Sequence, residues 1–367
     1  MTDDTAAAGQ VSASNPVFDE AESDAIVPHP RYDITSYGSD PDVEGLVRRI
    51  RRAEILVPSF QRDYVWRLPE ASRFVESLLL GLPVPGVFFA IEPKTNKLLV
   101  IDGQQRLKTL QFFYDGVFNP RPGEGRQRVF ILTDVDPRFA GKRYSTLEEP
   151  DRLRLDNSII HATIIKQDSP PDEDTSVYHV FERLNSGGQK LAAQEIRVAL
   201  YHGPLIDAIR ELNNYGAWRE LFGKVSAHLK DQELILRYLS LAYELHLYER
   251  PMSEFLSKFA GRHRHAEGRF LAEIQSKFTS AIDLVWSALG RRAFRPERAF
   301  NAAVFDSTMV GLTHLVAKNP TVDPGEVRRR YEMLLADTAY QEAVSRSTAD
   351  ETFVNLRISK AVEILGG

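Results

Sequence analysis

The segment Lys97-Leu98-Leu99-Val100-Ile101-Asp102-Gly103-Gln104-Gln105-Arg106-Leu107-Lys108-Thr109-Leu110 constrains the fold more than any other stretch of the chain. Its first part is a continuous apolar run rich in branched residues, the pattern of a buried strand. Leu107, Leu110 and Phe113 then recur at helical spacing, so the break falls at Asp102-Gly103. A strand must hand over to a helix through a tight turn, and the polar residues sit at that joint. The first turn of a helix carries N–H groups without intrahelical partners and the positive end of the helix dipole. Gln104, Gln105 and Arg106 add side-chain donors at the same place, and this constellation favours an anion, above all a phosphate. A purely structural role is open to Asp102 as an N-cap and to Gly103 as a turn residue. Three long polar side chains directly after a buried strand are more than stability asks for.

The residues around this joint build a sheet. Pro93-Lys94-Thr95-Asn96 is a short turn between the strand expected over Val87 to Ile91 and the Lys97 run, which predicts a hairpin and therefore a mixed sheet. Upstream, Val43, Leu46, Val47 and Ile50 make one face of a short helix whose other positions carry Arg48, Arg49, Arg51 and Arg52, a face for solvent or for phosphates. Ile55 to Val57 reads as a short strand. Pro69-Glu70 opens a helix with Phe74, Val75, Leu78 and Leu79 turned inward, and Gly81 closes it. Val129 to Leu132 and Ile159 to Ile165 are further strand candidates, and Asp168 to Asp174 has the composition of a linker. From Thr175 onward almost every segment reads as helix. Leu234, Tyr238, Leu241 and Leu245 form one apolar stripe; Ile282, Val285 and Leu289 a second; Phe305, Met309 and Leu312 a third, all expected in a core. The expectation is an α+β chain: an acidic tail over 1–30 with six acidic residues and no Lys or Arg, a mixed-sheet domain over 31–174, and an all-helical domain over 175–367.

Charge and composition narrow the chemistry. A net charge of -5 gives no global attraction to nucleic acid, so DNA contact requires local basic patches. Arg291-Arg292 with Arg295 and Arg298, and Arg328-Arg329-Arg330, are candidates. Zero cysteines exclude disulfides, thiolate metal sites and cysteine nucleophiles. No apolar run approaches the roughly 20 residues needed to span a bilayer, and no signal pattern opens the chain, so a cytoplasmic protein with no membrane partner is expected. There is no P-loop pattern, no histidine spacing typical of metal ligands, and no histidine-asparagine-histidine nuclease signature to be assembled from the nine histidines.

Two other polar clusters accompany the Asp102 turn. Gln61-Arg62 follows the Ile55 strand, and strand ends are where ligands bind in α/β sheets; the planar fork of Arg62, like that of Arg106, suits phosphate oxygens. Tyr64 or Trp66 beside it either stacks on a base or packs in the core. Phe181-Glu182-Arg183-Leu184-Asn185-Ser186-Gly187-Gly188-Gln189, followed by Gln194-Glu195-Ile196-Arg197, reads by itself as a helix end whose glycines permit the next helix to start. The alternative is an anion nest in which the two glycines let backbone N–H groups approach a ligand.

Four of these stretches, in order, resemble a known family: Val57-Pro58-Ser59-Phe60-Gln61-Arg62-Asp63-Tyr64-Val65-Trp66, Glu76-Ser77-Leu78-Leu79-Leu80-Gly81-Leu82-Pro83-Val84-Pro85, Ile101-Asp102-Gly103-Gln104-Gln105-Arg106-Leu107, and Arg183-Leu184-Asn185-Ser186-Gly187-Gly188 with Gln194-Glu195-Ile196-Arg197. Together they resemble the N-terminal domain of GmrSD-type, type IV restriction enzymes. The helical remainder, including Phe300-Asn301-Ala302-Ala303-Val304-Phe305-Asp306, looks like that family's C-terminal extension.

The resemblance implies a core similar to the ParB/sulfiredoxin fold, in which a Gly-x-x-Arg turn at a helix start holds nucleotide phosphates; Gly103-Gln104-Gln105-Arg106 fills that place. Sulfiredoxin chemistry needs a cysteine and is excluded. It further implies a phage-defence or DNA-processing protein that binds and hydrolyses a nucleoside triphosphate with Mg²⁺ to control DNA restriction. Asp102, Gln104, Gln105 and Arg106 are then the catalytic set, with Asp102 either the metal ligand or the cap of the helix. Gln61, Arg62, Gly103, Arg183, Asn185, Gly187 and Gly188 are the phosphate-binding set, and Tyr64 or Trp66 the stacking residue. DNA, a separate nuclease or defence-system subunit, and further copies of the chain are the partners in view. The alternatives are a DNA-binding or nicking module that uses the same polar cleft, and a non-enzymatic regulatory partner of a nuclease.

Overall fold

A computed structural model describes residues 17–18, 33–57, 64–92, 95–120, 123, 127–169, 178–180, 183 and 192–367. The chain divides into two compact units, one formed by residues 29–200 and the other by residues 1–28 and 201–367. Strand β1 (Val17–Phe18) belongs to the second unit; apart from it, the acidic tail expected over 1–30 lies outside the described residues.

The first unit begins with β2 (Asp33–Ser39) and α1 (Val43–Arg51), where the Asp42 side chain caps the helix through the Gly45 N–H. There follow β3 (Ile55–Leu56), α2 (Leu68–Leu80), the hairpin of β4 (Val87–Ile91) and β5 (Leu98–Asp102), α3 (Gln104–Asp115), α4 (Glu149–Asp156), β6 (Ala162–Ser169) and α5 (Ala193–Leu200). Gly81 ends α2 in the left-handed region, with its N–H and that of Leu82 returning to the Leu78 and Ser77 carbonyls.

The strand order is β2-β6-β4-β5-β3. β4 is antiparallel to β5 and β2 to β6, whereas β4 with β6 and β3 with β5 are parallel, so the sheet is mixed, as the short connection between the two apolar runs predicts. One consequence governs the site. The C-terminal ends of β2, β3 and β5 and the N-terminal ends of β4 and β6 all lie along a single edge of the sheet. Val87, Phe89, Leu98, Val100, Ala162 and Ile164 turn inward against Leu46, Leu78, Leu107, Leu110 and Phe113, which makes the core of this unit.

Two local expectations change, and one open alternative narrows. Val129 to Leu132 is not a strand: Val129 makes an isolated bridge with Val117, and the N–H groups of Phe118 and Phe130 donate to the carbonyls of Arg128 and Gly116, so the segment is held by the end of α3 and not by the sheet. The last candidate strand begins three residues later than its apolar run. The α1 arginines are largely satisfied on the surface, Arg49 and Arg52 by Glu54 and Arg51 by Asp115.

The second unit is helical: α6 (Pro204–Asn213), α7 (Gly216–Phe222), α8 (Lys230–Glu244), α9 (Met252–Arg262), α10 (Gly268–Leu289), then the two-residue β7 (Phe300–Asn301) paired in parallel with β1, and α11 (Ala302–Lys318), α12 (Pro324–Ala336), α13 (Thr338–Ser345) and α14 (Glu351–Ile364). The three apolar stripes read from the sequence are in its core, with Leu245 and Leu289 at their partly exposed ends. On α11, fully buried Asp306 accepts from Arg237 Nε at 2.7 Å and from Arg357 Nε and Nη2 at 2.9 and 2.8 Å. Much of the basic clustering proves to be helix capping. Arg295 donates to the Leu221 and Phe222 carbonyls at the end of α7, Arg328 to the Ala288 carbonyl at the end of α10, and Arg330 to the Leu365 carbonyl after α14. Arg291 pairs with Glu220 and Arg329 with Glu326. Carbonyls at helix C-termini attract cations for the same electrostatic reason that N-termini attract anions, which is why these arginines were ambiguous in the sequence. No helix among the described residues is long and apolar enough to cross a membrane.

Candidate functional site

The β5–α3 joint is the expected one, and its geometry explains its residues. Phe89 pairs with Val100 and Phe88 with Asp102, so two steps along β5 answer one along β4. The extra residue places Asp102 opposite Phe88, which alternates away from the core-facing Val87 and Phe89; a register shift of this kind re-aims a side chain at a strand end. Asp102 is accordingly half exposed, beside apolar strand neighbours.

Gly103 has φ +96 and serves as N-cap of α3. A Cβ built there would come within 2.4 Å of Val87 Cγ1 and 3.3 Å of Arg106 Nη2. Both the left-handed backbone and the packed β4 side chain therefore demand glycine. Because glycine has no side chain to offer, the helix start receives no side-chain cap. Asp102 does not supply one either: its carboxylate accepts from Arg106 Nη2 at 2.8 Å. The Arg106 side chain is 16% exposed, and its Nε is buried with no hydrogen-bond partner among the described residues. An uncapped positive helix end with an incompletely satisfied guanidinium beside it is a place where an anion is stabilised.

Gln105 turns the other way. Its Oε1 accepts from the N–H of Val65 at 3.1 Å and of Trp66 at 3.4 Å, so it pins the chain that returns towards α2. Gln104 is half-buried in the same first turn. The tyrosine expected as a stacking candidate is a core residue: Tyr64 is 6% exposed, its hydroxyl is 2.7 Å from Thr109 Oγ1, and Phe112 and Phe118 pack edge-on around its ring. Burial pushes its hydroxyl pKa well above the usual phenol value. Trp66 is half-buried with its ring edge-on to Phe74 at 5.7 Å, and it retains some surface beside Gln105.

Gln61, Arg62, Asn185, Gly187 and Gly188 lie outside the described residues. Arg183 is exposed on a helical segment. In α5, Gln194, Glu195 and Arg197 are each under 5% exposed, and Arg197 Nη1 donates to Gln194 Oε1 at 3.2 Å while its guanidinium lies over the Tyr178 ring. This part of the cluster is a buried polar network.

The sheet edge carries a pair that sequence reasoning missed. His161, just before β6, has Nδ1 2.8 Å from Asp40 Oδ1, just after β2. The two residues stand 121 positions apart, and no local pattern joins them. No group of three or more His, Cys, Asp or Glu side chains placed to hold a metal occurs among the described residues.

Residues 43–202 match the family model described as GmrSD restriction endonuclease, N-terminal domain. The matched span runs from α1 through α5 and contains the whole β5–α3 joint. No curated protein matches the chain.

Proposed function

With residues 43–202 as a domain of the GmrSD N-terminal type, we propose that the chain acts in DNA restriction as a defence against phage, and that this domain binds and hydrolyses a nucleoside triphosphate to control it. The observation that carries the proposal is the N-terminus of α3, which has no side-chain cap, with the buried Nε of Arg106, unpartnered among the described residues, beside it. A mixed sheet that delivers a strand into a Gly-x-x-Arg helix start also supports reading the core as ParB/sulfiredoxin-like.

In this reading Arg106 and the first-turn N–H groups of α3 hold phosphate oxygens, and Gly103 supplies the left-handed turn that sets the helix start. Phosphoryl transfer depends chiefly on positioning and on neutralising charge on those oxygens, which a guanidinium at a helix start supplies. Gln104 orients the attacking water, whereas Gln105 shapes the wall through Val65 and Trp66. Gln61, Arg62, Arg183, Asn185, Gly187 and Gly188 are assigned to the phosphates on the family resemblance. Mg²⁺ characteristically takes one or two carboxylates together with substrate phosphates, and half-exposed Asp102 suits that sharing. DNA is the macromolecular substrate of the system, cut by a nuclease that this cycle governs.

The test is binding and phosphate release by the purified full chain with Mg²⁺ and each nucleoside triphosphate, with and without DNA, against Arg106→Ala. Turnover lost in a folded Arg106→Ala supports the assignment. Undiminished hydrolysis in that variant, or neither binding nor release by the wild type with any nucleotide, overturns it.

A further inference from the structure

Two long polar side chains flank the start of α3. The N–H of Leu107 is the first in the helix to bond back, to the Gly103 carbonyl, so the amides before it face outward from the first turn. Long side chains on a helix lie over the turn N-terminal to their own Cα. Gln105 and Arg106 both follow this rule. Arg106 brings Nη2 back to the Asp102 carboxylate, and Gln105 brings its carboxamide back to the amides of Val65 and Trp66. The guanidinium and the carboxamide therefore both lie on the side of the first turn towards which its own amides point.

The orientation of the carboxamide is fixed by what it holds. Two consecutive backbone N–H groups converge on one of its atoms, and only the oxygen of an amide accepts hydrogen bonds. Nε2 then faces away from residues 65 and 66, and it has no hydrogen-bond partner among the described residues. The frame around it is rigid. Thr109 Oγ1 donates to the Gln105 carbonyl at 2.7 Å and lies 2.7 Å from the Tyr64 hydroxyl, while Phe112 and Phe118 enclose the Tyr64 ring. A carboxylate at position 105 would accept the same two backbone bonds more strongly and would suit the positive helix end. What glutamine adds is a neutral donor beside the outward-facing amides. An anion distinguishes the two side chains, since it accepts from Nε2 and is repelled by a carboxylate.

We propose that Gln105 is a direct substrate contact: Nε2 donates to a phosphate oxygen of the nucleotide while Oε1 keeps the backbone of residues 65 and 66 in place. The inference rests on the nucleotide binding proposed above and gives Gln105 a second task beyond shaping the wall. It also couples the two tasks. An occupied site holds the carboxamide, and a held carboxamide holds the Val65 and Trp66 amides.

The experiment compares steady-state phosphate release by wild type, Arg106→Ala, Gln105→Glu and Gln105→Leu, all as the full chain with Mg²⁺ and the nucleotide that the wild type turns over fastest. Glutamate keeps the acceptor and loses the donor, whereas leucine loses both without adding charge. Gln105→Glu should raise KM about 10²-fold while the thermal midpoint and the exchange protection of the Val65 and Trp66 amides stay at or above those of wild type. Gln105→Leu should raise KM about tenfold. In wild type a nonhydrolysable analogue of the nucleotide should slow hydrogen exchange at Val65 and Trp66, and unchanged exchange overturns the coupling. A residue that only holds the wall keeps the wild-type KM in Gln105→Glu, and one felt only through the charge of its replacement keeps it in Gln105→Leu. A KM within about twofold of wild type in either variant therefore overturns the contact. If Arg106→Ala is inactive in that case, the nucleotide reading stands without it. No release by the wild type overturns both.

Discussion

Replacing Gly103 by alanine tests the turn on which the site is built. Two costs combine. A side chain at φ +96 adopts the left-handed region, for which an L-residue pays about 1–2 kcal/mol. The new methyl would also sit 2.4 Å from Cγ1 of fully buried Val87, and overpacking of that kind costs about 1–3 kcal/mol. Gly103→Ala should therefore destabilise the sheet unit by about 2–5 kcal/mol and displace the start of α3. Chemical denaturation of the full chain, with hydrogen exchange followed in β4, β5 and α3, measures the loss in the correct unit. A second background separates the two costs. In Val87→Ala the 2.4 Å clash with Cγ1 disappears and only the 3.0 Å approach to Cβ remains, so adding Gly103→Ala there should cost little more than the backbone part of about 1–2 kcal/mol. Equal costs in the two backgrounds would refute the claim that Val87 enforces glycine, and a cost below about 0.5 kcal/mol in both would refute the left-handed turn itself.

Two further outcomes follow from the geometry. Tyr64→Phe removes the hydroxyl bonded to Thr109 and should cost about 1 kcal/mol while nucleotide affinity stays constant; a large loss of affinity with stability intact would return Tyr64 to the ligand site. Asp306→Ala leaves Arg237 and Arg357 buried without their shared carboxylate and should lower the stability of the helical unit by about 3–5 kcal/mol, measured by denaturant midpoint, whereas a change below about 1 kcal/mol would show that solvent reaches the pair.

Much of the site was legible in the sequence because its signals are local. The branched run ending at Asp102, the glycine after it and the helical spacing of Leu107, Leu110 and Phe113 each act within one turn or one strand, and the structure has the joint at that position. The same holds for Gly81, for the hairpin, and for the stripes centred on Tyr238, Val285 and Met309. Residue type also settled exclusions that no fold could reverse, such as chemistry that needs a cysteine.

What tertiary structure alone decided is how polar groups are matched. An arginine in a sequence carries the same charge whether it meets a phosphate or a helix carbonyl, and Arg295, Arg328 and Arg330 were assigned by the helix ends that fold against them. Tyr64 looks amphipathic until Phe112 and Phe118 enclose its ring. Gln105 is one more donor at a helix start until the backbone of Val65 and Trp66 takes its oxygen. His161 and Asp40 meet because an antiparallel register joins strands far apart in the chain. Hydrophobic periodicity is written within a single element and can be read there; the partner of a polar atom is set by which elements pack together, and that depends on the whole chain at once.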